Sequence, residues 1–93
     1  MLRVEMQDSA NASIIQLEGR FTGDWADHVR TLMSHYHPEV RLVVDLREVT
    51  FADDLGEEVL SLLKRLGAEF VADTSYTLNI CERLHLPLAG DDL

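Results

Sequence analysis

Apolar and polar residues alternate strictly over residues 2–7, with Leu2, Val4 and Met6 set against Arg3, Glu5 and Gln7. This is the period of a strand with one wet face, and it predicts an edge or near-edge strand. Residues 8–11, DSAN, are turn formers, and residues 13–18 return to a β-branched and apolar run, so a hairpin is expected. Gly19 to Gly23 break the pattern. From Asp24 onward, Trp25, Val29, Leu32, Met33 and Tyr36 recur at the spacing of an amphipathic helix whose polar side carries Asp27, His28, Arg30 and Ser34. Pro38 stops this helix, because the residue before a proline is pushed out of the helical region.

The most apolar strand begins at about Arg41. Leu42, Val43, Val44 and Leu46 are interrupted only by Asp45, which suits a strand covered on both faces at the centre of a sheet. Residues 47–53 read as a turn into a second helix, where Asp54 followed by Glu57 resembles a capping box. On that helix Leu55, Val59, Leu62, Leu63 and Leu66 form one stripe, Glu57, Glu58, Ser61, Lys64 and Arg65 lie on other sides, and Leu60 falls well off the stripe. Gly67 fits a helix stop, and residues 68–72, AEFVA, suit a short strand. Thr74 or Ser75 then caps a third helix over residues 75–84, with Tyr76, Ile80 and Leu84 at four-residue spacing. Pro87 and the acidic end GDDL finish the chain. The order β-β-α-β-α-β-α predicts an α/β fold: a mixed four-stranded sheet, with right-handed crossovers placing the helices mainly on one face.

Composition narrows the function more than the fold. A chain of 93 residues with 46% apolar and 27% charged residues reads as one globular domain, residues 1–93. Eight Lys and Arg against seventeen Asp and Glu give a net charge of −9, which argues against nucleic acid or anionic membranes as partners and suits a protein with a basic face. The lone Cys81 has no partner for an internal disulfide, the chain starts directly with Met1-Leu2-Arg3, and no run of about 20 apolar residues occurs. A cytoplasmic protein without an anchor of its own is expected.

Residues 43–60, VVDLREVTFADDLGEEVL, resemble a STAS domain, the fold of bacterial anti-sigma factor antagonists, and the resemblance extends over nearly the whole chain. The family's strand ends in an apolar-Asp-Leu pattern, followed by a turn of the form Phe, apolar, Asp, Ser, Ser or Thr, Gly. Here those places hold Phe51, Ala52, Asp53, Asp54, Leu55 and Gly56. Upstream, LEGRFTGDWA resembles the family's second strand, Gly-rich turn and first helix, and ICERLHL at 80–86 its later helix. The resemblance implies regulation of a protein partner, an anti-sigma factor or related kinase, through this turn. It also implies a phosphorylated serine at the position of Leu55, and leucine has no hydroxyl to phosphorylate. Asp54 either imitates a standing negative charge, with less charge and fewer acceptor oxygens than a phosphate, or simply caps the helix.

Other chemistry is thinly supported. Asp45, Asp53, Asp54, Glu57 and Glu58 gather carboxylates near the end of the central strand, an arrangement that a small-ligand, nucleotide or divalent-metal sensor would use. No lysine, histidine or nucleophile accompanies them in a convincing position, and acids at a helix start already interact favourably with its dipole. His35 and His37 project to different sides of a helix, with His28 and His85 distant in sequence. Cys81 reads as a packed thiol. No P-loop, GxGxxG or nucleophile elbow is present, so a non-enzymatic domain without cofactor or metal is expected. The residues expected to meet the partner are Asp53, Asp54, Leu55, Gly56, Glu57 and Leu60. Leu55 and Leu60 either form an apolar patch ringed by acids or are covered by the loop at residues 22–24; the pattern leaves both open.

Overall fold

The computed structural model describes residues 2–8, 12–34 and 41–89. Its elements are β1 (Leu2–Asp8), β2 (Ala12–Phe21), α1 (Gly23–Ser34), β3 (Arg41–Ala52), α2 (Asp54–Arg65), β4 (Glu69–Val71) and α3 (Ser75–Leu84). The expected helix stop at Tyr36 and Pro38, His35 and His37, most of the hairpin turn and the GDDL end lie outside the described residues.

The strands form a single mixed sheet in the order β1-β2-β3-β4. The β1–β2 hairpin is antiparallel, while β2–β3 and β3–β4 are parallel pairs bridged by α1 and α2. The alternation read in residues 2–7 therefore does mark an edge strand, and β3 is an interior one. The opposite edge is partly closed by the segment after α3. There the Phe70 N–H donates to the Pro87 carbonyl and the Ala89 N–H to the Phe70 carbonyl, both at 2.8 Å.

The strands outrun the pattern in two places. Gly19 adopts φ 101°, and β2 continues past it to Phe21 instead of ending at Glu18. Likewise β3 extends to Ala52, so most of the segment expected to be a turn, residues 47–53, is strand. Both extensions follow from bulges: the β2–β3 register slips between Gln16 and Glu18 and again between Gly19 and Arg20, each time inserting an extra residue on the β3 side. At the first slip Asp45 supplies what the ladder loses. Its carboxylate accepts the Arg47 backbone N–H at 3.0 Å and the Arg47 guanidinium at 2.8 Å.

One face of the sheet carries Ile15, Leu17, Val44, Leu46 and Phe70, all buried against Ala26, Val29 and Met33 of α1, Val59, Leu60 and Leu63 of α2, and Ile80 and Cys81 of α3. Fully burying each large aliphatic side chain contributes about 2 kcal/mol. Two expected stripes are rotated. On α1 the buried set is centred on Ala26, whose small side chain lets the helix lie close to the sheet, so Trp25 and Leu32 turn to the flank and are 42% and 43% exposed. On α2 Gly56 and Leu60 are buried and Leu55 and Leu62 are only partly so. The third helix is as expected, with a capping box between Thr74 and Thr77, and Cys81 is a buried thiol whose pKa is raised by burial.

Burial works against the charge on Asp45, but the Arg47 side-chain hydrogen bonds, backbone N–H and positive charge together outweigh it and hold the carboxyl below its usual pKa. A folded-state pKa below the unfolded value stabilises the fold above the ordinary carboxylate range, near pH 4, and that contribution is lost as pH falls below it. Asp45→Asn is expected to cost about 2 kcal/mol at neutral pH and to match the parent chain in strong acid. Urea melts across this pH range check the convergence.

Candidate functional site

Both parallel strands of the central pair deliver their chains to the same end of the sheet, β2 at Phe21 and β3 at Ala52, and α1 and α2 begin there. Each helix start leaves backbone amides without intrahelical partners. Asp53 serves both. One of its carboxylate oxygens accepts the Gly56 N–H at 2.8 Å, capping α2, and the other accepts the Gly23 N–H at 3.0 Å at the start of α1. The N-cap is thus Asp53, and Asp54 is the first helical residue, which corrects the expected capping box. Asp54 is exposed beside the amides, and its carboxylate is favourable with the helix dipole.

Gly56 is required by proximity. A Cβ there would lie 2.1 Å from the Phe21 carbonyl oxygen and 3.3 Å from the Ala52 Cβ, so α2 packs on the end of β2 through bare backbone. Gly56 is therefore a buried spacer, and Leu60, at 1% exposure, belongs to the core. Both were expected among the partner-facing residues, and both are instead buried. Glu57 is also engaged: the Arg83 guanidinium of α3 donates to both of its carboxylate oxygens, at 3.1 and 2.9 Å, and this pairing raises the Arg83 pKa.

What remains accessible at the start of α2 is Asp54, Glu58 and part of Leu55. Leu55 packs against the core on one side and on the other lines a groove of about 490 Å³ with Glu58, Val59, Ser61, Leu62 and Arg65, closed across by Arg30 of α1. The conflict between a buried and an exposed Leu55 is resolved as both: its base is in the core and its edge is in the groove.

On the strand side of the turn, Phe51 is 40% exposed, with the Arg20 guanidinium 4.9 Å from its ring centroid and the Tyr76 ring stacked at 6.5 Å. The Tyr76 hydroxyl accepts the Ala52 N–H at 2.8 Å, holding the last residue of β3 from α3. No sequence pattern marks this aromatic support. In the sequence Tyr76 is one of the four-spaced residues of α3, and nothing local ties that position to residue 52.

The five carboxylates do not converge. Asp45 sits near the middle of β3 with Arg47, Asp53 is saturated by amides, and Glu57 is held by Arg83. Among the described residues no three His, Cys, Asp or Glu side chains are placed to hold a metal ion. His28 is exposed on α1, and His85 ends α3 in the left-handed conformation. No described helix is long and apolar enough to cross a membrane.

No family model matches the chain, and no curated protein sequence does. Solved structures do. The anti-sigma factor antagonist SpoIIAA in its unphosphorylated form superposes with a TM-score of 0.71 at 13% identity, over 100% of this chain and 90% of that one. This chain has the STAS fold. An antisigma-factor antagonist STAS domain from Rhodobacter sphaeroides matches at 20% identity with a TM-score of 0.53, over 76% of this chain and 84% of that one. A protein of the DUF3478 family with a SpoIIAA-like fold, from Shewanella loihica, matches at 11% identity and 0.54, over 94% and 81%. At such identities the likeness is one of fold, and it agrees with the strand and helix order read from the sequence.

Asp53→Ala removes acceptors from two helix starts and is expected to cost about 2 kcal/mol, more than an ordinary single cap. Gly56→Ala forces backbone apart and is expected to cost a further 1 kcal/mol or more than that, about 3 kcal/mol. Thermal melts of the two variants check the ranking.

Proposed function

We propose that this chain is a non-enzymatic regulatory domain that binds a protein partner through the end of β3 at residues 51–53 and the first turns of α2. The observation that carries the reading is Leu55 lining the groove, a partly buried apolar side chain flanked by Asp54 and Glu58. Small apolar centres with charged rims suit protein docking. The fold shared with anti-sigma factor antagonists supports a partner of the anti-sigma factor or related kinase type, in a bacterial transcription-regulating pathway in the cytoplasm, with residues 1–93 acting as one domain.

Leu55 distinguishes this chain from the switched members it resembles. Binding here does not depend on a hydroxyl at the helix start, so the contact is constitutive with respect to phosphorylation at that position. The core residues Gly56 and Leu60 hold the docking turn in place, and Asp54, Leu55 and Glu58 make the contact.

Immobilised chain is expected to capture a partner from native extract that Leu55→Asp no longer retains, with affinity reduced about tenfold or more while the circular dichroism spectrum is unchanged. Equal capture by the variant overturns the reading. A second expectation concerns the chemistry of the position: an anti-sigma kinase with ATP leaves the parent chain unmodified at residue 55 and phosphorylates Leu55→Ser, as phosphopeptide mapping would show.

A further inference from the structure

The flank of the molecule away from α2 has a composition that its monomeric packing does not explain. Strand β1 is an edge strand, and its outer side has no strand partner among the described residues. On the helix-covered face of β1 the side chains run Leu2, Val4, Met6, and Met6 is 43% exposed. Arg30 turns one side of α1 toward α2, and helix geometry then carries Trp25 and Leu32, seven residues apart and so nearly in line, to the side away from α2. Met6 on the edge strand and Trp25 and Leu32 on α1 are thus exposed apolar side chains on the side of the fold away from α2. Open edges of natural sheets are usually blunted by charge, proline or a bulge; β1 is seven residues long, with no proline and no register shift, and its charges include the Arg3–Glu5 pair.

The charges on β1 are arranged to complement themselves. Arg3 and Glu5 lie on the outer face of the sheet, paired with each other, and Arg3 also faces Glu18 across the hairpin at 3.6 Å. An antiparallel pair of β1 strands related by a two-fold axis at Val4 sets Arg3 of each copy opposite Glu5 of the other and Leu2 opposite Met6. Centring the axis on Glu5 or on Arg3 would bring like charges together, which is destabilising. The same axis runs the two α1 helices antiparallel, with Trp25 of one copy toward Leu32 of the other.

We propose that the chain forms a symmetric homodimer through β1, joining two four-stranded sheets into one of eight strands in the register centred on Val4. The interface is isologous, closes on itself and covers the exposed apolar side chains. It lies on the flank opposite the Leu55 groove, so it leaves the docking turn free in both copies.

Sedimentation equilibrium of the full chain from micromolar to near-millimolar concentration tests this. The mass is expected to rise from monomer to dimer, with Trp25 fluorescence shifting to shorter wavelength in parallel. Arg3→Glu sets glutamate against glutamate twice per dimer and is expected to weaken association about tenfold. Adding Glu5→Arg to that variant restores opposite charges and is expected to recover the parent affinity. A monomeric mass throughout, an Arg3→Glu variant as associated as the parent, or a double variant no better than the single one overturns the proposal.

Discussion

Two crossover helices start at the same end of the sheet, and one carboxylate serves both. The Asp53 side chain spans from the Gly56 amide to the Gly23 amide, so the β2–α1 turn and the β3–α2 turn are tied although they are thirty residues apart in the chain. This tie joins the start of α1 to the start of α2, and the groove that Leu55 shares with Arg30 lies between the two helices. The close approach of Gly56 to the Phe21 carbonyl works in the same direction. A side chain at residue 56 would lift α2 from the end of β2 and break the geometry that lets Asp53 reach both amides.

The sheet contributes a second constraint. Two slips in the β2–β3 register let β3 run as a hydrogen-bonded strand up to the start of α2. The first slip costs a ladder bond, which Asp45 offsets by accepting the Arg47 N–H. The end of the strand is then fastened from outside by Tyr76, whose hydroxyl meets Ala52 and whose ring stacks on Phe51. The end of β3 and the start of α2 at Asp54 are therefore tied to α3 as well as to the sheet.

Much of the architecture was legible in the residues. The alternation in residues 2–7, the apolar run around Val44 and the Thr74 cap each report a local preference, and each matched an element of the fold. The motif from Phe51 to Gly56 also marked the junction between β3 and α2. Its side chains were harder to assign. Asp54 resembled the cap because a glutamate stands three residues on, yet the cap belongs to Asp53, which has a second amide to satisfy on another helix. Leu60 fell off the apolar stripe of α2 and still lies in the core, because Gly56 seats the helix rotated toward that side. On α1 the large residue Trp25 drew the expected stripe to itself, and the small Ala26 took the inward position.

Taken alone, the sequence determined the number, kind and order of the elements, the edge place of β1, the central place of β3, and the absence of a hydroxyl at residue 55, because periodicity, caps and residue chemistry are properties of neighbouring positions. Only the tertiary structure decided where β2 and β3 end, which face of α1 and α2 turns inward, and which carboxylates are already engaged. Those outcomes depend on hydrogen bonds and close approaches between segments far apart in the chain, such as Gly56 with Phe21, Asp53 with Gly23 and Glu57 with Arg83. No local pattern encodes such distances.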